Sequence, residues 1–405
     1  MKTLVILGAA DGAVATYDRA RELGYHTICI DQNPDAPGVS HADEFLQIST
    51  RDPQQVADRL AGRGYICGVL APASDAALPA LAWLTTHWGV AGTVSEDVVR
   101  ASVDKSFFRR VCGELDLSPI NSVSGGAGAA LARAAIRLRF PVLVKPVDGT
   151  GSRGVLLVTE PAGMSAALTE AVQHSYTGRV IVEEYVSGSH YSVEAVIDGG
   201  TPVFCAVSRR TITAAPHFIS TSLALPTDLP AGIVTEIRQQ LATVCSRLDY
   251  RRGPLNADLV VDATNTVHLI EVGARVGGNG IAELVAASYG VDILEASIAA
   301  AVGAPISLHP RPARPALLHV LHDQRSGRLA AVDGVEQVRR HPQVVELRLF
   351  AEPGRAVAPY VQAANKLGYV VLAGPDAAQL QRVADEISSV LRWHVDDAPV
   401  VGVAP

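Results

Sequence analysis

The segment KPVDGTGSRGV (145–155) concentrates residue types that handle phosphate. The apolar run PVLV leads into Lys145, and a loop carrying Gly149, Gly151 and Gly154 turns back into a second apolar run. Glycine admits positive φ and lets backbone N–H groups crowd around an anion without Cβ obstruction. A lysine at the loop entrance can reach the same oxygens. The segment lacks the GK[ST] ending and the following helix of a P-loop. Two readings stay open at this point: a nucleotide-phosphate cradle, or a glycine hairpin with a surface lysine.

A second constellation lies downstream, with Asp258 in NADLVVD, Glu271 in LIEVGARVGGNG and Arg275 four residues beyond Glu271. Each carboxylate sits in an apolar strand context where a lone charge is costly to bury. Two carboxylates on adjacent antiparallel strands suit Mg²⁺, which takes one or two carboxylates plus phosphate oxygens. Strand alternation puts Arg275 on the face of Glu271, where it can neutralise charge on a transferred phosphoryl group. The alternative is an inert pair of strand-end carboxylates bridged to Arg275.

The chain has 405 residues, 48% hydrophobic and 19% charged, with a net charge of −7. The acidic balance argues against a nucleic-acid partner or an anionic membrane surface. Lysine is scarce: Lys2, Lys105, Lys145 and Lys366 stand among 34 basic residues. A lysine in so arginine-biased a chain marks a place that suits a compact ammonium. Five cysteines (Cys29, Cys67, Cys112, Cys205, Cys245) show no CxxC spacing and read as reduced, buried thiols. The opening MKTLVILG reads as a strand, not a leader, and no apolar run approaches the ~18 residues of a membrane span. A cytoplasmic location is expected.

The elements that must position these residues follow from periodicity. Residues 1–95 alternate apolar runs (TLVILG, HTICID, ICGVLAP) with amphipathic stretches, the βαβαβα rhythm of a parallel, doubly wound sheet. Gly8, Gly12 and Asp31 hint at a dinucleotide site, but the spacing is not GxGxxG and Asp11 would repel a pyrophosphate. SGGAGAALARAAIRLRF reads as a glycine-rich turn and a helix. RVIVEEYVSGSHYSVEAVIDG and PVFCAVSRR read as strands, and NADLVVD and VHLIEVGAR as two strands joined by ATN. HPRPARPA (309–316) reads as a linker into a smaller α+β module.

Taken in order, Lys105 in SVDKSFFRR, KPVDGTGSRGV, EEYVSGSHYSVEAV, NADLVV and IEVGARVGG resemble an ATP-grasp enzyme of the carboxylate–amine ligase branch, which includes L-amino acid ligases. The resemblance implies an α/β and α+β multidomain fold. A Rossmann-like domain (1–95) would precede two ATP-grasp subdomains (96–186 and 187–308) and a C-terminal α+β module (309–405). It implies ATP and Mg²⁺, with Mn²⁺ as a substitute, and small-molecule carboxylic acid and amine substrates, in a chain that can form a homodimer. Lys105 and Lys145 would hold phosphates, and Gly149, Thr150, Gly151, Ser152 and Gly154 would form the flap over them. Glu183 would accept from the adenine amino group, with Glu184, Tyr185 and Val186 along the ring edge and His190 near the ribose. Asp258 and Glu271 would be the metal ligands, and Arg275 would contact the transferred phosphate.

Three departures from that pattern concern His190 in place of an acid, Asp258 in place of Glu, and Gly273 where an Asn often completes the metal shell. Substrate contacts are expected from Arg209 and Arg210, from His217 in the loop SRRTITAAPHFISTSLALP, and from Asn279, which could orient the acyl phosphate or cap a helix. No acid lies between Arg210 and Asp228. Either the carboxylate substrate lacks a free α-ammonium, or its acidic partner comes from elsewhere in the chain. Other functions compatible with these residues are a purine-pathway-type enzyme using bicarbonate or formate, an NAD-binding oxidoreductase and a nucleotide-binding pseudoenzyme.

Overall fold

The computed structural model describes residues 2–92 and 94–396. Strands β1 (Thr3–Leu7), β2 (His26–Asp31), β3 (Glu44–Gln47) and β4 (Ile66–Leu70) form a parallel sheet in the order β3-β2-β1-β4. Their inner runs are apolar from end to end because helices Val14–Glu22, Pro53–Leu60 and Leu78–Trp88 flank them. β3 was not anticipated: EFLQ is too short and too polar to stand out as a strand, and it occupies the sheet edge.

A second sheet contains β5 (Ser122–Gly126), β6 (Val142–Pro146), β7 (Leu156–Val158) and β8 (Arg179–Glu184), ordered β5-β8-β6-β7. Here the sequence expectation needs correcting. Ser124 to Gly126 are not a turn but the end of β5, paired with Ile181, Val180 and Arg179 of β8. Helices Ala129–Ala135 and Met164–Val172 cover one face over a core that includes Val142, Val144, Val180 and Val182. The glycine loop joins β6 to β7.

The remaining strands are β9 (Ser189–Asp198), β10 (Thr201–Ile212), β11 (Ser220–Leu225), β12 (Gly253–Val261), β13 (Val267–Gly273), β14 (Ala316–Leu321), β15 (Gly327–Asp333), β16 (Val344–Leu349), β17 (Ala356–Val357), β18 (Gly368–Ala373) and β19 (Arg392–Asp396). Eight of them form one antiparallel sheet, β13-β12-β9-β10-β11-β14-β18-β16, and the other three pair as β17-β15-β19. The Pro-rich stretch therefore leads back into the same sheet. β14 pairs with β11 over four residues, and both pack on helix Ile281–Tyr289 in one core. No single helix among the described residues is long and apolar enough to cross a membrane.

This continuity makes the C-terminal strands structural. A chain ending at Leu308 exposes the apolar edge of β11. It is expected to lose cooperative unfolding by circular dichroism and to aggregate, whereas a soluble, cooperatively melting product would contradict the shared core.

Candidate active site

The site is organised around a buried carboxylate. β6 and β8 run antiparallel, so Lys145 and Glu183 sit diagonally on one face. Lys145 Nζ donates to Glu183 Oε2 at 2.6 Å, and Arg109 Nε donates to Oε1 at 2.8 Å. Arg109 comes from helix Lys105–Glu114 and also donates to Leu269 O at 2.6 Å and to Ile270 O, which ties that helix to β13. All three side chains are buried. Burial alone would raise the Glu183 pKa, but the charges of Lys145 and then Arg109 outweigh it and hold the carboxylate down at about 2. Glu183 thus fixes Lys145, a positioning role beyond the adenine contact expected for it. Sequence reasoning missed Arg109, whose only signal is its place among the apolar positions Phe108, Val111 and Cys112.

In front of this triad opens a cleft with about 980 Å³ of empty space. Lys105, Lys145, Gly149, Thr150, Gly151, Ser152, Glu183, Glu184, Tyr185, Val186, His190, Arg210, Asp258 and Glu271 all line it. Ile120, Leu143, Leu259 and Ile270 give it apolar walls suited to a planar ring. Lys105 Nζ donates to Gly149 O at 2.6 Å and lies 3.8 Å from Glu271 Oε2. The loop entrance is held by Asp148, which accepts from Ser175 Oγ at 2.7 Å and Thr177 N at 2.9 Å. Gly154 beside the cleft adopts φ +68°, and a Cβ there would meet His174 Cδ2 at 2.7 Å, so only glycine fits.

On the large sheet the polar residues form rows. Asp258 lies directly opposite Glu271 on one side and Ser192 on the other. Arg210, opposite His190 on β10, reaches across to bond Asp258. Burial and then Arg210 lower the His190 pKa, which favours a neutral imidazole. Among the described residues no group of three or more His, Cys, Asp or Glu gathers. The donor set of Asp258 and Glu271 fits a hard dication that takes its other ligands from phosphate oxygens and water.

Besides Gly154, four expected residues lie outside this cleft. Arg275 borders an adjoining cavity of about 1300 Å³ that shares Lys105, Gly149, Thr150, Gly151 and Glu271 with it. There Arg275 forms a two-pronged pair with Asp75 of the parallel-sheet unit, Nε to Oδ1 at 2.8 Å and Nη2 to Oδ2 at 2.7 Å. Arg209 points to the opposite face and pairs with Asp228. His217 lies in its loop without lining the cleft, which Phe218 reaches instead. Asn279 abuts Gly12, and helix Ile281–Tyr289 is capped by Gly280, so Asn279 caps nothing. Asp75, Asn256 and Glu194 were also missed. Burial pushes the Glu194 carboxyl up to about 8, although Gly277 N and Asn256 Nδ2 both donate to it.

A nucleotide-sized cleft between two antiparallel sheets, roofed by a lysine-anchored glycine loop and floored by paired acidic strands, defines an ATP-grasp fold. An ATP-grasp domain model matches residues 138–283, and the L-amino acid ligase C-terminal domain 2 matches residues 319–396. Residues 138–283 thus carry an ATP-grasp domain, followed by a segment similar to the L-amino acid ligase C-terminal domain. The chain is 26% identical over 269 residues to "Uncharacterized protein y4rH" of Sinorhizobium fredii, covering 64% of this chain and 54% of that protein. It is 30% identical over 239 residues to carnosine synthase 1 of Gallus gallus, covering 53% and 25%. The crystal structure of L-amino acid ligase from Bacillus licheniformis superposes with a TM-score of 0.84 at 20% identity, over 98% of this chain and 99% of that one, a likeness of fold. The chain thus spans about half or less of the length of these two curated relatives.

Replacing Arg109 by Met leaves two carbonyls without a donor and Glu183 with a single cation. The expected loss of stability at pH 7 is about 3–5 kcal/mol by urea unfolding. Because Glu183 lies below its ordinary 4.5 in the folded chain, its contribution is complete above pH 4.5 and fades as the pH falls toward 2. Wild type should lose on the order of 3 kcal/mol across that window, and R109M clearly less. Equal acid sensitivity of the two chains would remove Glu183 as the keystone.

Proposed function

We propose that the chain is an ATP-dependent ligase that joins an amino-acid-like carboxylate to an amine through an acyl phosphate. The observation that carries this reading is the meeting of Lys105, Lys145, the glycine loop and the Asp258–Glu271 pair around one cleft. A carboxylate oxygen attacks the γ-phosphorus and ADP leaves. The amine nitrogen then attacks the acyl carbon, phosphate departs, and the amine proton passes to phosphate or water.

Positioning and electrostatics supply the catalysis, with no side-chain nucleophile required. Lys145, fixed by Glu183, and Lys105, fixed by Gly149 O, present ammonium groups to the phosphates. The backbone of residues 149–154 closes over them and limits hydrolysis of the acyl phosphate. Mg²⁺ bound by Asp258 and Glu271 would neutralise and align phosphate oxygens. Arg275, held flat by Asp75, faces the cavity next to that position and can stabilise charge on the transferred group. The apolar walls around Leu143 and Ile270 accept the purine.

The match to an L-amino acid ligase domain at 319–396 supports an amino-acid-like substrate over bicarbonate or formate. The C-terminal part of the chain also touches the large sheet and the first unit: Tyr360 Oη donates to Ser220 O at 2.7 Å, and Lys366 pairs with Asp11. The acid lacking in residues 211–227 is available from Asp75, which offers a carboxylate beside Arg275 for an α-ammonium.

The test is ADP release screened over a matrix of carboxylic acids and amines, with products identified by mass spectrometry. ADP formation should require an acid and increase with the matching amine. Asp258→Asn and Glu271→Gln should each lower kcat by at least about 10²-fold, as should Arg275→Met with little change in the KM for ATP. Absence of acid-dependent ADP release across amino acids and their N-acyl derivatives would refute the ligase reading.

A further inference from the structure

We infer that Asn256 Oδ1 is a third protein ligand, beside Asp258 and Glu271, for the divalent cation of the proposed nucleotide site; the inference rests on that reading of the cleft. Asn256 and Asp258 are two residues apart on β12 and so share a face of the sheet. Their partners across β13 are Gly273 and Glu271. Three of these four positions carry oxygen ligands, and the fourth is empty for a steric reason. A Cβ on Gly273 would stand 2.6 Å from Asp75 Oδ1 and 3.5 Å from Arg275 Cγ. The Asp75 carboxylate is fixed there by its two bonds to Arg275. A side-chain ligand at 273 would therefore displace the Asp75–Arg275 pair, which leaves the facing strand as the place from which a further protein oxygen can reach the cation.

Asn256 is turned to supply it. Its Nδ2 donates to Glu194 Oε1 at 2.5 Å and lies 3.4 Å from Ser192 Oγ and from Val193 O, all on β9. That leaves Oδ1 without a partner among the described residues. Asn256 also borders the cavity shared by Glu271, Lys105 and Gly149. A neutral amide suits the place: a fourth carboxylate beside Asp258, Glu271 and Glu194 would crowd like charges, whereas Mg²⁺ accepts amide oxygen readily. Glu194 acts here as a positioning residue, through its bond to the amide.

The probe is Mn²⁺, titrated into ADP-saturated protein with free Mn²⁺ read by electron paramagnetic resonance, without turnover. Asn256→Ala should weaken Mn²⁺ binding about 10-fold, while ADP affinity in EDTA stays within about twofold. Asn256→Leu keeps the volume and should behave alike, which guards against a misfolded alanine variant. Asn256→Asp keeps Oδ1 but loses the Nδ2 donor, and should retain Mn²⁺ affinity. Unchanged Mn²⁺ binding in the Ala and Leu variants overturns the assignment. An equal loss in all three overturns it too, because the bond to Glu194 is then what matters. If the wild type binds ADP without any dependence on Mn²⁺, the ligase reading fails along with it.

Discussion

The cleft depends on keeping Glu183 ionised away from water. A carboxylate this deep is tolerable only with its charge matched and both oxygens bonded. Arg109 and Lys145 meet that condition from a helix and a neighbouring strand, and the remaining nitrogens of Arg109 bind the carbonyls of Leu269 and Ile270. One guanidinium thereby registers the small sheet, the large sheet and the helix between them. The triad carries one net positive charge, and the lysine that supplies it opens onto the cleft. The constraint that joins the two sheets also leaves a demand for an anion between them.

A second joint works on the same principle. Asp75 reaches in from the parallel-sheet unit to take both edges of Arg275, and its carboxylate fills the volume that a side chain at 273 would need. Planar pairing of this kind fixes direction as well as distance. The pair therefore decides three things at once: where Arg275 points, how the first unit docks, and why the strand end must be glycine. Gly273, which resembles a gap in the pattern when read alone, is the complement of a residue almost two hundred positions earlier.

What the sequence made legible follows from how local each feature is. Lys145 and the glycine loop are contiguous, and Asp258 and Glu271 flank one tight turn, so alternation alone puts them on a common face. Alternation also says that Arg209 and Arg210 face opposite ways. Which one faces inward depends on the pairing of Arg210 with His190, a register that periodicity does not carry. Arg109 and Asp75 act on partners far along the chain, and nothing near them distinguishes them from surface charges. Ser124, Gly125 and Gly126 were misread as part of a turn because glycine signals turns more often than strands, yet their pairing with β8 overrides that preference. The Pro-rich stretch was a true break in regular structure but not a break in the sheet, since hydrogen bonding resumes at Ala316 with β11.

The ion pairs of the cleft fall into two kinds, and the difference bears on how it can work. Arg109, Lys145 and Glu183 expose no more than 8% of their side chains, and removing any one strands a buried charge. Arg210 with Asp258 is about a fifth exposed, and Glu271 opposite Lys105 is 45% exposed. Water can solvate these partners as they separate, so exchange of one cation for another on Asp258 or Glu271 costs far less than breaking the triad. On the proposed reading, chain cations balance the charge of these carboxylates until a divalent cation arrives with the phosphates. A cleft built from fixed pairs alone would be too rigid to exchange ions, and one built from exposed pairs alone would not hold its lysine in place. The separation of the two kinds, one behind Lys145 and one in front of it, makes the same pocket both preorganised and exchangeable.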